Sequence, residues 1–282
     1  MTYNFDNPDP HRLDDLRPEE KGACLVAERT LGVVATGWDV NGRQGAVDAF
    51  LEYRDGRRAA FEVSKIAAEG ALQMDSLLGR DDFTWPRAGQ WWWEISVGSR
   101  RDIPQLQERY ARVIAVCEAA GVTRPEHLAY RGVALDPDIE WVVGSSTTMW
   151  GYPDVPAVDG ERVRDVMVVP AGRGGATDST LAGLHDTLVD ELASPQMKKR
   201  VAKLLATDAD ERHLYLPVHL SAWPFDVADA LASSDSLPPD PAPLPDGITH
   251  LWLAPQFGKR VLLWAPNGWR QSLPHGEPTE VD

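Results

Sequence analysis

The sequence predicts an α/β protein with a central mixed β-sheet flanked by helices and interrupted by a long insertion. Residues 18–32 have the pattern of an amphipathic helix, and three strand-like runs follow it before residue 66. In the last third of the chain, helical and strand-like segments alternate again, which is typical of a sheet that contains parallel strands. Residues 66–180 separate these two regions and are predicted to form the insertion.

The composition is that of a globular protein. The chain has 282 residues, 43% hydrophobic and 25% charged, which are ordinary values. It has no apolar run of about 18 residues and a polar N-terminus, so we expect no membrane span, no secretory signal and a cytoplasmic location. Cys24 and Cys117 lie in apolar helical patterns and are expected to be reduced, buried thiols. Abundant Ala, Arg, Asp and Pro with few lysines suggest a bacterial gene of high GC content.

The charge balance limits the partners of the protein. It has 28 basic and 43 acidic residues, a net charge of −15, which argues against a protein that coats nucleic acid through a wide positive face. A local basic channel remains compatible with this charge, because phosphate contact needs only a few placed cations.

The first helix is predicted over residues 18–32. Pro18 suits the first turn, two glutamates follow at the positive end of the helix dipole, and Gly32 suits the C′ position. The i, i+1, i+4, i+7 spacing of one face is followed by Cys24, Leu25, Glu28 and Leu31. Glu28 therefore belongs to an apolar face, which is an unusual place for a carboxylate.

Three strand-like runs follow at 33–40, 45–53 and 57–65, separated by turn residues at 41–42 and 55–56. A two-residue loop between the second and third runs would mix polar and apolar residues on each face. A three-residue loop, Arg54–Gly56 with a left-handed Gly56, instead gives one uniformly apolar face. Its pairs are Val47 with Val63, Ala49 with Phe61, and Leu51 with Ala59. This register places Asp48 directly opposite Glu62 on the other face.

The remaining elements are predicted from local patterns. The insertion contains a tryptophan-rich strand at 91–97, a helix from 103 to 120, and strand-like pieces at 140–143 and 166–169. The last third contains a helix at 181–206 that is open to a break at Pro195, a strand from 213, a short helix at 226–233, and strands at 248–254 and 260–266. Residues 1–17 are expected to form a polar arm and 267–282 a C-terminal tail.

The candidate chemistry lies at Asp48 and Glu62. Like charges directly opposite each other on a strand pair are destabilising, so such a pair indicates a bound cation or a protonated carboxyl. Glu28 could add a third oxygen ligand near the same place. Clustered carboxylates favour Mg²⁺ or Mn²⁺, which promote phosphodiester hydrolysis by activating water and neutralising charge.

An acid on a leading helix, an aspartate on the next-but-one strand and a glutamate on the following strand resemble the metal-site core of the PD-(D/E)XK, or restriction-endonuclease-like, nuclease superfamily. The resemblance rests on Glu28, Asp48 and the run from Phe61 to Lys65. It implies that Asp48 and Glu62 bind the metal and that Glu28 is an auxiliary ligand or orienting group. It also implies a core in the order α-β-β-β-α-β-α-β, formed by residues 18–65 and 181–266.

This sequence departs from the family pattern at its lysine. The family places a lysine two residues after the glutamate, where Ser64 stands here, and Lys65 follows. Period-two alternation directs Lys65 to the opposite face. Three interpretations stay open: a bulge brings Lys65 into the site, a lysine of the helix at 198–203 replaces it, or the site is catalytically inactive. We assign Lys65 the role of orienting or deprotonating the attacking water.

The predicted function is a divalent-metal-dependent phosphodiester hydrolase or a degenerate relative. Nucleic acid would bind through Lys198, Lys199 and Lys203 on the later helix, although such lysines commonly form a solvated face. The alternative is a non-enzymatic module that binds a protein partner through its acidic surface, and a third option is hydrolysis of a small phosphorylated metabolite. A zinc site from His213, His219 and His250 lacks supporting Cys or His spacing.

Overall fold

A computed structural model shows how these elements assemble. The residues that the structure describes are 5, 8–39, 45–130, 136–171, 178–256 and 258–274. The chain divides into two compact units, one formed by residues 1–67 and 175–282 and the other by residues 68–174. Among the helices of the described ranges, none is both long and apolar enough to cross a membrane.

The elements alternate along the chain. The helices are α1 Pro18–Leu31, α2 Ala71–Leu78, α3 Ile103–Ala119, α4 Glu126–Ala129, α5 Pro137–Gly144, α6 Leu184–Leu192, α7 Pro195–Leu205 and α8 Phe225–Ser233. The strands are β1 Val34–Gly37, β2 Ala49–Glu52, β3 Arg58–Val63, β4 Thr84–Trp85, β5 Trp91–Val97, β6 Thr147–Pro156, β7 Val158–Asp159, β8 Arg162–Val163, β9 Val166–Pro170, β10 Glu211–Val218, β11 His250–Pro255, β12 Val261–Ala265 and β13 Gly268–Ser272.

The first unit contains a mixed seven-stranded sheet in the order β1-β2-β3-β10-β11-β12-β13. Strands β3, β10 and β11 run parallel to one another, and the outer pairs are antiparallel. One hydrophobic core joins α1 to one face of this sheet, and another joins α6, α7 and α8 to the opposite face. The predicted α/β class, a central mixed sheet flanked by helices, is therefore confirmed.

Helix α1 begins and ends as its sequence predicts, but it buries a different face. The Glu20 side chain accepts the backbone N–H of Arg17 at 3.0 Å, and Gly32 has a φ of 67° and closes the last turn. The buried residues are Ala23, Cys24, Val26 and Ala27, whereas Leu25 is exposed. These small side chains allow α1 to pack close to the sheet. The buried face of the helix is therefore rotated about the helix axis from the predicted face.

The β2–β3 hairpin has the predicted register. Ala49 pairs with Phe61 and Leu51 with Ala59. The predicted pair of Val47 with Val63 is wrong, because Val47 precedes β2 and packs in the other hydrophobic core. The loop has three residues, and Gly56 has a φ of 89°, which a residue with a Cβ adopts only with strain. The loop length therefore places alternate residues of both strands on the faces that their polarity predicts.

Residues near both ends of the first unit belong to its core or its sheet, which the sequence did not predict. Leu13 and Leu16, assigned to a polar arm, are buried in the core beneath α1. Residues 268–272, assigned to a tail, form the edge strand β13 and pair with β12. The predicted break of the long helix occurs at Ser194, whose hydroxyl accepts the backbone N–H of Met197 at 3.2 Å, with Pro195 in the first turn of α7.

The second unit contains a four-stranded sheet in the order β4-β9-β5-β6. The inward residues of β5 pack with α3 in a separate hydrophobic core. The predicted strand at 140–143 is wrong, because these residues lie in α5. Asp136 caps that helix by accepting the backbone N–H of Asp138 at 2.9 Å, and Pro137 occupies its first turn.

Candidate functional site

Glu62 lies on the sheet face that α7 covers, where Arg200 and Lys203 contact it. Asp48 directly precedes β2, next to the Ala49–Phe61 pair, and is close enough to Glu62 for that residue's charge to act on it. Asp48 is 4% exposed and Glu62 is fully buried. One Asp48 oxygen accepts the backbone N–H of Val63 at 2.7 Å, which ties the two strands together where β2 begins. Two acidic groups are thus held together in a low-dielectric environment.

Glu62 has one oxygen crowded with cations and one without a partner. Its Oε1 accepts from Arg200 Nη1 at 2.8 Å and from Lys203 Nζ at 3.1 Å, both on α7. Its Oε2 is buried and has no hydrogen-bond partner in the described part of the chain. A buried carboxylate oxygen without a partner is costly, so this position would be stabilised by a further cation or proton.

Burial and the neighbouring charges shift the pKa values of Asp48 and Glu62. Burial, followed by the charge of Glu62, raises the pKa of Asp48 to about 7. Burial also raises the pKa of Glu62, while Lys203 and Arg200 oppose that rise. Burial thus disfavours the charged form of both carboxyls, and a further cation would favour it.

The structure places a lysine at Glu62, but it is Lys203 and not Lys65. Lys65 Nζ lies 2.6 Å from Glu19 Oε1 at the start of α1, so it is paired away from Glu62. Ser64, which directly follows β3, is buried, and its hydroxyl has no partner among the described residues. The ammonium group beside Glu62 comes from α7; that it replaces a strand lysine in catalysis, and that the site is inactive, both stay predictions.

Glu28 does not join the two acids. Arg12 Nη2 lies 2.8 Å from both of its oxygens, and the backbone N–H of Ala35 donates to it at 2.8 Å. It thus connects the residues before α1 to β1. The acid of α1 whose charge acts on Asp48 is Glu20, which contributes to raising the pKa of that carboxyl. The sequence had marked Glu20 only as a complement to the helix dipole.

The other two predicted lysines stay apart from the acids. Lys198 and Lys199 are exposed on α7, while Arg200 and Lys203 of the same helix contact Glu62. One side of α7 therefore directs Arg200 and Lys203 toward Glu62. The other side leaves Lys198 and Lys199 in solvent. The role of Lys198 and Lys199 in nucleic-acid binding stays a prediction.

A second polar cluster lies on the α1 face, at the amino ends of β10 and β11. His213 and His250 are register partners, and their rings stack with centroids 3.9 Å apart. Glu211 Oε2 lies 3.1 Å from His213 Nε2 and accepts the hydroxyl of Tyr53 at 2.7 Å. His219, the third histidine of the zinc site considered from the sequence, is instead hydrogen-bonded through Nδ1 to Ser221.

Distance alone would allow a metal ion among Glu211, His213 and His250, because their ligand atoms lie within 4.8 Å of one another. The hydrogen bonds oppose it. Trp252 Nε1 donates to His213 Nδ1 at 3.2 Å, so the proton of that ring is on Nε2, the atom that a metal would need. The two rings are also nearly parallel, and parallel rings do not direct their lone pairs at one point. The cluster therefore fits a hydrogen-bonded network better than a metal site.

A cleft of about 410 Å³ opens beside this cluster. Glu211 and His250 form part of its wall, together with Tyr53 and Arg57 from the β2–β3 hairpin and Arg270 from β13. Arg57 donates to Glu211 Oε1 and, through Nε, to Asp55 at 2.8 Å. The first unit thus carries two polar sites, at opposite ends of β3.

Comparisons with protein-family models, with curated proteins and with solved structures gave no match. The contacts of the chain's own residues therefore carry the functional inferences that follow.

Proposed function

We propose that the protein is a divalent-metal-dependent phosphodiester hydrolase on a restriction-endonuclease-like core, with Asp48 and Glu62 as the ligands of Mg²⁺ or Mn²⁺. The observation that carries this proposal is the buried Glu62 Oε2, which has no partner in the described part of the chain, while Asp48 accepts the backbone N–H of the adjacent Val63. A hard divalent cation, which prefers oxygen ligands, would give this carboxylate oxygen a partner.

The donor set fits such an ion. Two carboxylates from adjacent strands provide oxygen ligands without histidine or cysteine, which favours Mg²⁺ or Mn²⁺ over zinc. A divalent cation would remove the repulsion between Asp48 and Glu62 and would satisfy the remaining Glu62 oxygen. Glu20, whose charge acts on Asp48, is the α1 acid that we assign to the site in place of Glu28.

The order of elements supports the same assignment. The superfamily core is expected to run α-β-β-β-α-β-α-β, and α1, β1–β3, α7, β10, α8 and β11 follow that order. Strand β10 lies beside β3 and parallel to it, so α7 crosses the face that carries Glu62. The second unit is inserted between β3 and α6.

The residues of α7 would act on the phosphate. When bound, the metal would activate water and neutralise developing charge. Lys203 takes the place that the family gives to the strand lysine: its ammonium at Glu62 can donate to the attacking water or to a phosphate oxygen. Arg200, more exposed at 33%, is free to leave Glu62 for a phosphate oxygen once a divalent ion adds positive charge beside it. Lys65 is assigned to the pairing with Glu19 instead.

The experiment compares wild type with Asp48→Asn and Glu62→Gln, and with Asp208→Asn as an exposed acidic control. We expect Mn²⁺ to raise the melting temperature of wild type and the control and to support cleavage of plasmid DNA or of bis(p-nitrophenyl) phosphate. Both effects should be lost in the two site variants.

The rival functions give different results. A protein that is neither stabilised by Mn²⁺ nor able to cleave a diester would be a non-enzymatic module, and the proposal would be abandoned. Cleavage of p-nitrophenyl phosphate without cleavage of the diester would assign the site to a phosphorylated metabolite. Cleavage that persists in both site variants would mean that the acids are not the metal ligands.

A further inference from the structure

The cleft beside Glu211 differs in charge from the rest of the chain. Of the charged residues in its wall, Arg57 and Arg270 are positive and Glu211 is negative, so the wall carries a net charge of +1 in a protein of net charge −15. Its volume of about 410 Å³ is within the range of sites for small molecules, roughly 300–1,000 Å³. A positive cleft in an acidic protein indicates an anionic ligand.

The negative charge in the wall is already neutralised. Glu211 accepts hydrogen bonds from the Tyr53 hydroxyl and from His213 Nε2, and it is paired with Arg57. The hydrogen bonds from His213 and Tyr53, with that of His213 foremost, lower the pKa of Glu211 to about 2. A carboxylate held by three donors offers little to a cationic ligand, and Arg57 is itself paired with Glu211 and Asp55. The net positive charge of the cleft is therefore that of Arg270.

Arg270 is the cation that has no partner. Its side chain lies on the edge strand β13, and no residue in the described ranges forms a hydrogen bond or ion pair with its guanidinium. Its charge nevertheless acts on Tyr53, His213 and His250, which places it near the cluster. Guanidinium groups bind phosphate oxygens through pairs of parallel hydrogen bonds.

His250 can add a donor. It is a register partner of His213 on the neighbouring strand, and its Nδ1 lies 2.8 Å from the Thr249 hydroxyl and 4.0 Å from Glu211. Burial, the neighbouring His213 and the two arginines all favour its neutral form. An anion in the cleft would offset those positive charges and allow the ring to donate to it.

We propose that this cleft binds a small phosphate monoester. Arg270 and His250 would hold the phosphate, and Arg57 would add positive charge while it stays paired with Glu211. The organic part would lie against the apolar wall formed by Leu31, Ala265 and Pro266. The site lies at the amino end of β10, beside the opposite end of β3 from Glu62, so it is independent of the proposed hydrolase function.

Isothermal titration calorimetry without divalent metal tests this proposal, with inorganic phosphate and phenyl phosphate as the probes. We expect saturable binding of both, with phenyl phosphate about tenfold tighter because its ring contacts the apolar wall. Arg270→Gln should weaken binding at least about tenfold, and His250→Gln should weaken it less. Lys259→Gln, which removes an exposed cation elsewhere, should leave the affinity unchanged.

Several results would overturn the proposal. Affinity equal in Arg270→Gln, Lys259→Gln and wild type, or titrations that do not saturate, would show that the cleft is not the site. Loss of binding in Arg200→Gln with retention in Arg270→Gln would place the phosphate at α7 instead. Benzoate binding as tight as that of phenyl phosphate would rule out a phosphate-specific site. Circular dichroism of the edge-strand variant, expected to match wild type, would assign any loss to the side chain.

Discussion

At the scale of single residues, the first unit has two largely buried carboxylates, Glu211 and Glu62, which differ in their hydrogen bonds. Glu211 has donors for both of its oxygens, from Tyr53, His213 and Arg57. Glu62 shares Oε1 between two cations and leaves Oε2 without a partner in the described ranges. A satisfied buried carboxylate stabilises the fold, whereas an unsatisfied one is retained at a cost. This difference is why we assign the metal to Glu62 and not to Glu211.

The raised pKa of Asp48 predicts how stability changes with pH. The folded value of about 7 lies above the unfolded value of about 3.9, so the native state binds more protons between these limits. The free energy of unfolding should therefore fall as the pH rises from about 4 to 7, by up to about 4 kcal/mol from this group. Asp48→Asn should remove that part of the loss, making the variant more stable than wild type at pH 8.

Urea unfolding of both proteins at pH 5 and pH 8, without metal, measures the effect. Mn²⁺ should then stabilise wild type at pH 8 but not Asp48→Asn. A variant that is no more stable than wild type at pH 8 would show that the carboxylate of Asp48 is not strained in the folded protein.

At the scale of elements, helix α7 supplies the cation that the strand lacks. Lys203 reaches Glu62 from the helix, and Ser64 occupies the strand position on the same face. Under the proposed function, these two positions are alternative origins for one ammonium group, because α7 packs on β3.

Moving the ammonium group back to the strand tests this replacement. Lys203→Met should lower the diesterase rate about 100-fold and, because Arg200 stays at Glu62, reduce stability by only about 1–3 kcal/mol. The double variant Ser64→Lys, Lys203→Met should recover part of the rate, measured with bis(p-nitrophenyl) phosphate. Equal rates in wild type and Lys203→Met would remove Lys203 from the proposed mechanism.

Two glycines with opposite conformational roles test the β2–β3 turn. A Cβ added at Gly56 or at Gly22 meets no atom within 4 Å, but Gly56 has a φ of 89° and Gly22 lies inside α1. Gly56→Ala should therefore destabilise the protein by about 1 kcal/mol through backbone strain. Gly22→Ala should stabilise it by up to about 1 kcal/mol. Thermal unfolding measures both, and a stabilising Gly56→Ala would contradict the left-handed turn.

At the scale of the whole molecule, the chain is one unit with another inserted into it. The second unit has its own sheet and its own hydrophobic core, which includes Trp93, Ile95 and Leu106. The predicted insertion ran from 66 to 180, and the second unit runs from 68 to 174. A separate core of this kind is typical of a domain that folds by itself.

Expression of residues 68–174 alone tests that independence. We expect a cooperative thermal transition and a near-UV circular dichroism signal from the buried tryptophans. The variant Leu106→Ala, which removes a fully buried side chain, should lower the stability of this fragment by about 2–5 kcal/mol. A fragment with no cooperative transition would show that its core depends on the rest of the chain.

The sequence by itself determined the register of the β2–β3 hairpin, the ends of α1 and the meeting of Asp48 with Glu62, because alternation, capping and turn length act over a few neighbouring residues. It misplaced residues 140–143, where a capping aspartate and a proline favour a helix. It assigned Glu28 to the site, whereas the folded chain pairs Glu28 with Arg12, a contact between residues 16 positions apart that the helical spacing does not predict.

Only the tertiary structure decided which groups complete each site. Lys203 meets Glu62 across 141 positions of sequence, and His213 meets His250 because β10 and β11 are parallel and in register. Contacts of this kind depend on sheet order and helix packing, which arise from the burial of many apolar groups at once. Local sequence patterns do not contain the order of the strands or the packing of the helices. The partners of each charged group are therefore known only from the folded chain.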